Sequence, residues 1–520
     1  MNPAAITRLN LSTTLSTNAI IEGKTEDVGV IVSAGPGIDP ENHRIGRHYH
    51  IVSGSIDHRG TMIQDLNRSE LDAALTSCRT AGVRVFATIG KFSTRNPEHE
   101  HTMAEKIGPE SDFITMGHTL SGVLNFPRRI ATACFNSAVW RTYDDFAWAV
   151  EESVVDFGLR AETNILKADG GTMPLAGSRK VPVETILSGP AASVMGIMAL
   201  CDIQEDSIIL DIGGTTTDIA VFADGAPVIE NEGMTVGSYP TLVRSLKLRP
   251  IGIGGDSALH VSSQQVRVGP DRKGPSLATC PQYPQGSVDS PNRVCVPTLT
   301  DAMNYLGLAD FGDREASIQG IRELAELWET DVDALANRSV RYALERITTA
   351  VRELVHEINE KPVYTISELL KGKRIEPKKV YVMGGPAQAF AGLLEQSFGL
   401  DVVVPEHYAY ANAIGAALTQ TTMDALLFAD TQKGRLFIPN LNIQKKINRN
   451  YDRKQAESDA KRYLLEHLKH IGVAIDGLHP EITESESFNL VEGPVTAGRI
   501  IRIKCQIRPG VIGKAISPVR

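Results

Sequence analysis

Residues 207–222 read "SIILDIGGTTTDIAVF", and the reading of this stretch decides the fold. Residues 208–210 and 219–222 are uninterrupted apolar runs, which predicts two interior strands. Between them Gly213 and Gly214 allow a tight hairpin and a close approach of backbone to something bound. A plain turn needs nothing more. The surplus is chemical: Asp211 precedes the turn, Thr215, Thr216 and Thr217 follow the glycines, and Asp218 comes next. Backbone N–H groups at a glycine turn, flanked by hydroxyls, suit phosphate oxygens, and a nearby carboxylate suits a hydrated Mg²⁺. Asp218 reads equally as a ligand and as a buried acid that closes the turn.

One glycine turn is weak grounds for a phosphate site, but this one has company. "PIGIGGDSALH" (250–260) is a second glycine-rich turn with Gly254 and Gly255 beside Asp256. "VMGGPAQAF" (382–390) is a strand, the pair Gly384 and Gly385, then a helix. A glycine pair there lets a nucleotide base or ribose lie against backbone, because no Cβ intervenes. Two small-residue helices, 191–200 and 411–418, suit close packing where two lobes meet and hinge. Plain helix packing accounts for them equally well.

The 520 residues are enough for more than one domain, and 42% hydrophobic with 22% charged residues fits a globular protein with a large core. A formal net charge of −9 argues against a nucleic-acid or anionic-membrane binder. No apolar stretch is long enough to span a bilayer, and "MNPAAITRLNLSTT" lacks the form of a signal peptide. A cytoplasmic protein with no nucleic-acid and no membrane partner is therefore expected. Cys78, Cys134, Cys201, Cys280, Cys295 and Cys505 are scattered without a C-x-x-C pair, and read as ordinary thiols rather than a zinc site or disulfide framework. His43, His48 and His50 sit close in "HRIGRHYH" (43–50). No carboxylate-plus-histidine spacing on a helix supports a metal there, so a solvated or substrate-side role is preferred. His58, His99 and His118 read as structural.

From residue 7 to about 158, short apolar runs alternate with helical patterns, a βαβα rhythm that implies an α/β lobe with a largely parallel sheet. The pattern loosens between 252 and 300, where "GPDRKGPSLATCPQYPQGSVDSPNR" (269–293) reads as a long surface excursion. Helical patterns at 313–329 and 339–360 follow, then a strand at 379–385 and another at 400–405. The tail holds a charged helix and a final apolar segment. The expected division is 1–186, 187–427 and 428–520.

On these residues the chain resembles the actin / sugar-kinase / heat-shock ATPase superfamily. "LDIGGTTTDIAVF" looks like its second phosphate hairpin and "VYVMGG" like its adenosine motif, while "SGPAASVMGIMAL" and "ANAIGAAL" look like its two connecting helices. More narrowly, "LSTTLSTNAIIEG" (11–23), "FSTRNPEHE" (92–100), "DGGTMP" (169–174), "LSGPAASVMG", "IGIGGDS" and "PTLTDAMNYLGL" (297–308) resemble the A-type chains of the hydantoinase/oxoprolinase family. The resemblance runs from about residue 7 to 421. It implies a two-lobed, actin-like ATPase fold of the α/β class, with mixed sheets flanked by helices and a nucleotide cleft between lobes.

It also implies ATP and Mg²⁺, with Asp211 holding the ion through water or orienting the attacking group. Gly213 and Gly214 would offer N–H groups and Thr215 and Thr216 hydroxyls to phosphate. Gly254, Gly255, Gly384 and Gly385 would contact the nucleotide, with Asp256 evenly balanced between roles. Thr13, Thr14, Thr17 and Asn18 would face substrate, though a strand-to-helix cap accounts for Asn18 as well. The implied function is ATP-dependent hydrolysis or activation of a cyclic amide such as a hydantoin or 5-oxoproline, or of a related carbonyl compound, through phosphorylation of the carbonyl oxygen. A hydantoinase B-like partner is implied too, and a homo-oligomer is compatible. The alternatives are a nucleotide-dependent activator or assembly ATPase, a component of a ketone carboxylase, and a nucleotide-binding remnant. One departure stands out: the family's first phosphate hairpin, Asp-x-Gly-Gly-Thr, has no place before residue 11, and truncation is the preferred account.

Overall fold

A computed structural model describes residues 5–230, 232–262, 265–280, 295–360 and 374–515. They form two units of mixed α/β structure, as the sequence predicts. One comprises Met1–Ala191, Glu230–Ser245 and Thr419–Gly510, the other Ala192–Ile229, Leu246–Leu418 and Val511–Arg520. These units follow different lines from the expected three-part division. Backbone bonds explain why: Thr172 N–H donates to Gln420 and Thr422 N–H donates to Thr172, which ties the tail to the first unit. Arg128 does the same for 230–245, donating to the carbonyls of Gly233 and Thr241.

The first unit is built on a parallel sheet in the order His48–Ile51, Val28–Ser33, Val85–Gly90, Phe113–Met116. Val28–Ser33 and Val85–Gly90 are buried throughout, as strands covered on both faces must be. Alternation divides their side chains: Val28, Val30 and Val32 pack on the helix Phe126–Asp156. Ile31 and Phe86 pack on the helices Arg68–Thr80 and Glu98–Ile107. A five-stranded antiparallel sheet built from residues 424–506 buries the charged helix Arg453–His470 along Ala456, Ala460, Leu464 and Leu468.

The second unit holds a six-stranded sheet. Thr217–Ala223, Ser207–Ile212, Lys379–Met383 and Asp401–Val403 are successive neighbours in it. Leu210, Ile219 and Val382 are fully buried in one core with Leu335, Ile347 and Leu354 of the helix Val332–Asn359 and Phe390 of the helix Ala387–Phe398. Burying one such side chain contributes about 2 kcal/mol.

The cysteines require a correction. Cys78, Cys134, Cys201 and Cys505 are free and buried, but Cys280 and Cys295 form a disulfide across a separation of 15 residues. Their backbones converge because the fully buried Asp301 carboxylate accepts the N–H groups of Leu277, Ala278 and Thr298 at 2.9–3.1 Å. No spacing rule could announce that convergence. Of the expected surface excursion, residues 281–294 lie outside the described residues. No helix among those described is long and apolar enough to cross a membrane.

Candidate nucleotide site

The hairpin forms where it was read. Ser207–Ile212 pairs antiparallel with Thr217–Ala223, with Asp211 opposite Asp218 and Ile212 opposite Thr217. The Gly213 N–H donates to Thr216 C=O at 2.9 Å and closes the turn. Gly214, Thr215 and Thr216 are exposed. Neither their N–H groups nor the two threonine hydroxyls are engaged in a hydrogen bond with the described residues. Thr217 is different: it is buried and its Oγ1 donates to Ile253 C=O at 2.7 Å. The third threonine builds the loop, while the first two face outward.

The second glycine turn braces the first from behind. Gly255 N–H donates to Gly213 C=O at 2.9 Å and Asp256 N–H to Gly214 C=O at 2.6 Å. A Cβ on Gly254 would lie 2.6 Å from the Gly214 carbonyl carbon, so only glycine fits. The Thr300 N–H and Oγ1 both donate to Gly255 C=O, at 2.8 and 2.9 Å. The Asp256 carboxylate is paired with Arg272 at 2.8 Å. Asp301, in the matched Thr-Asp-Ala segment, completes a capping box with Thr298 and is spent on scaffolding.

The third glycine pair reaches the hairpin through strand register. Lys379–Met383 runs parallel to Ser207–Ile212 with Met383 opposite Asp211. Gly384 therefore lies beside Ile212, at φ +91°, where a Cβ would collide with the Ile212 carbonyl and lie 2.7 Å from Asp211 Oδ1. A Cβ on Gly385 would meet nothing within 4 Å, which leaves open space at the residue after Gly384.

Two residues outside the predicted set complete the surroundings of Asp211. Ser193 Oγ donates to Asp211 Oδ2 at 2.5 Å, and Asn412 Nδ2 donates to Ser193 Oγ at 3.0 Å. The only sequence signal was one polar residue in each small-residue helix. Burial holds the Asp211 carboxyl above the usual carboxylate range, against the Ser193 hydrogen bond. Burial, then the Asp211 charge, pushes Asp218 up to about 7. Two desolvated acids that face each other favour a proton or a cation between them, so the donor set fits a hydrated divalent ion beside a phosphate.

Thr13, Thr14, Thr17 and Asn18 belong to the first unit. Thr13 Oγ1 accepts the Leu15 N–H at 3.1 Å and Thr17 Oγ1 accepts the Leu187 N–H at 2.9 Å. Thr14 and Asn18 are exposed, with Asn18 Nδ2 3.3 Å from Thr14 Oγ1. The cap account of Asn18 is overturned: it lies inside the helix Leu15–Ile21, whose N-cap is Thr14. His118 pairs at 2.5 Å with Glu100, both buried. Among the described residues no group of three or more His, Cys, Asp or Glu is placed to hold a metal, His43, His48 and His50 included.

The chain is a mixed α/β protein with an exposed glycine–threonine turn beside a desolvated acid, and comparison with known proteins identifies its family. The hydantoinase/oxoprolinase family profile matches residues 129–425, and that of the hydantoinase/oxoprolinase N-terminal region matches residues 1–110. The chain belongs to the hydantoinase/oxoprolinase family. It is 22% identical to a 5-oxoprolinase of Saccharomyces cerevisiae over 69% of this chain and 28% of that protein. It is 24% identical to the acetone carboxylase beta subunit of Xanthobacter autotrophicus over 50% of this chain and 35% of that protein. The crystal structure of the ATP-dependent caprolactamase from Pseudomonas jessenii superposes with a TM-score of 0.71 at 20% identity, covering 100% of this chain and 81% of that one. The chain spans 28% to 36% of the length of the curated relatives it matches.

Proposed function

We propose that this chain binds Mg-ATP at the hairpin and uses it to activate the carbonyl of a cyclic amide for ring opening. One observation carries the proposal: the turn from Gly214 to Thr216 presents unspent N–H groups and two hydroxyls beside Asp211. Family membership supports it, as do relatives described as a 5-oxoprolinase and an ATP-dependent caprolactamase, whose names both denote lactams.

A lactam resists water because its nitrogen lone pair is delocalised into the carbonyl. Attack of the carbonyl oxygen on the γ-phosphorus, with ADP leaving, turns that oxygen into a leaving group and makes the carbon electrophilic. Water then adds at carbon, the ring C–N bond breaks with protonation of the amine to leave an acyl phosphate, and a second water hydrolyses that acyl phosphate to carboxylate and phosphate. Most of the catalysis in such a transfer is positioning and charge stabilisation. Gly214, Thr215 and Thr216 would hold phosphate oxygens, whereas Gly213, its own N–H spent on the turn, shapes the loop. Asp211 would hold a Mg²⁺ through water, and that ion would neutralise phosphate charge. Gly384 and Gly385 would receive the adenosine; Gly254 and Gly255 would hold the hairpin in place for it. Thr13, Thr14, Thr17 and Asn18 are the proposed substrate-binding residues. A hydantoinase B-like partner would complete ring opening in the cytoplasm. The likeness to an acetone carboxylase beta subunit favours one second reading, in which the same phosphoryl transfer activates a ketone.

Calorimetry with Mg-ATP on the full chain, Asp211→Asn and Gly384→Val is the test. Binding lost in both variants, followed by ADP release stimulated by lactams with a hydantoinase B-like partner present, supports the proposal. Stimulation by ketone and bicarbonate alone selects the second reading. Absence of nucleotide binding, or binding indifferent to both changes, overturns both.

A further inference from the structure

The helices Ser188–Leu200 and Ala411–Leu418 touch backbone to backbone within the second unit. A Cβ on Gly196 would collide with the Ala411 carbonyl, and one on Gly415 would collide with the Ala192 carbonyl and the Gly196 N–H. The contact is reciprocal, glycine into backbone from each side, and it leaves almost no freedom in how the helices cross. Ser193 lies three residues before Gly196, and Asn412 three residues before Gly415. Residues so spaced share a helix face, so the crossing that the glycines permit also brings Asn412 to Ser193 and Ser193 to Asp211. Ser193 is almost fully buried, at 1% exposure.

We propose that Ser193 and Asn412 are positioning residues for Asp211, a relay from two helices that fixes which way its carboxylate points and which of its oxygens is left for a ligand. Asn412 Nδ2 donates to Ser193 Oγ at 3.0 Å, which leaves the Ser193 hydroxyl hydrogen to go to Asp211 Oδ2 at 2.5 Å. With Oδ2 occupied, Oδ1 is the oxygen on the side of Gly384. A hydroxyl rotor that could serve several acceptors is thereby committed to one. The hydrogen bond also favours the ionised carboxylate, against the burial that disfavours it. Among the described residues the titratable group opposite Asp211 is Asp218, across the hairpin. Asp256, on the bracing loop, is engaged with Arg272. The relay's role in turnover rests on the functional reading above; its role in orienting Asp211 does not.

The test uses Ser193→Ala, Ser193→Thr and Asn412→Ala in the full chain. The first readout is the carboxyl ¹³C titration of aspartate-labelled protein, with Asp211→Asn identifying the Asp211 resonance. Ser193→Ala is expected to move the Asp211 midpoint up by about one pH unit, Asn412→Ala by less, and Ser193→Thr to restore it. In turnover, Ser193→Ala is expected to lower kcat about tenfold while the KM for ATP changes less than twofold, and the acid limb of the kcat profile should shift with the midpoint. An Asp211 midpoint unchanged in Ser193→Ala, with activity elsewhere intact, overturns the relay and spares the functional reading. A shifted midpoint in a chain whose ATP turnover neither lactam nor ketone stimulates upholds the relay and overturns that reading. Should Ser193→Ala fail to fold, Asn412→Ala decides on the same readouts, an unmoved midpoint counting against the relay.

Discussion

The chain contains Asp-Gly-Gly-Thr at 169–172 and Asp-Ile-Gly-Gly-Thr at 211–215, and the structure makes opposite things of them. Asp169 is fully buried and accepts Thr422 Oγ1 at 2.8 and 2.9 Å and the Gly171 N–H at 3.0 Å, with Lys167 and Arg244 at 3.6 and 3.7 Å. A Cβ on Gly171 would run into the Thr422 side chain, and Thr172 Oγ1 is engaged by Thr421 and by Arg8. The Asp169 and Thr172 side chains and the Gly170, Gly171 and Thr172 N–H groups are all engaged inside the protein. At the hairpin the acid is half-buried, the turn is exposed, and Thr215 and Thr216 are unspent. The protonation of the two acids diverges accordingly. Burial pushes Asp169 up, but the two cations and its hydrogen bonds pull it below the ordinary range. Asp211 is left above that range. The same letters thus make a strut in one place and a cradle in the other, and partner groups decide which.

Asparagine at 169 is the most drastic way to break this contrast. Asp169→Asn leaves Lys167 and Arg244 short of a buried counter-charge and is expected to cost about 3–5 kcal/mol of stability by denaturant titration. Nucleotide affinity of the folded protein should stay within about twofold, since a strut holds no ligand. A large loss of Mg-ATP binding with normal stability would show that both motifs are cradles.

Asp218→Asn sharpens the electrostatic side. Asp218 titrates at about 7 in the folded chain against about 3.9 unfolded. The native state therefore holds the extra proton between those values, and stability from this group falls as pH rises from about 4 to about 7. Asp169, with its folded value depressed, works the other way and loses its contribution as pH falls. Asp218→Asn should gain on wild type by at most about 4 kcal/mol between pH 4 and pH 8, read by denaturation at both pH values. Equal gain at the two would mean that Asp218 titrates normally.

Gly415→Ala tests the helix crossing beneath the cradle. The added methyl meets backbone on the Ser188–Leu200 helix, and overpacking of this kind costs about 1–3 kcal/mol. Gly385→Ala, into open space, is the matched control, and a destabilisation as large as that of Gly415→Ala would sink the assignment of Gly385 to open space. The smallest effect is expected at the turn itself. Thr215→Val and Thr216→Val should each weaken Mg-ATP by about 1 kcal/mol, roughly fivefold by calorimetry, with unchanged stability. Thr217→Val should do the reverse, because its hydroxyl serves the Ile253 carbonyl.

Much of this was legible in the chain. Uninterrupted apolar runs at 208–210 and 219–222 marked the strands 207–212 and 217–223, because a strand covered on both faces buries successive side chains and not only alternate ones. Gly214, Gly254, Gly255 and Gly384 announced close approaches, since losing the Cβ is the one thing glycine offers that no other residue does. Sequence also marked an acid and three threonines at the hairpin. It could not divide the threonines by role, because pointing out or in depends on where the Ile253 carbonyl falls. Nor could it show Ser193 and Asn412 converging on Asp211 across a separation of 219 residues, or Cys280 meeting Cys295, or residues 419–510 returning to the first unit. Local pattern sets the elements and their turns through sterics and periodicity within a few residues. Which donors remain unspent, and which acids keep their protons, depends on long-range packing and desolvation, and the tertiary structure alone decided them.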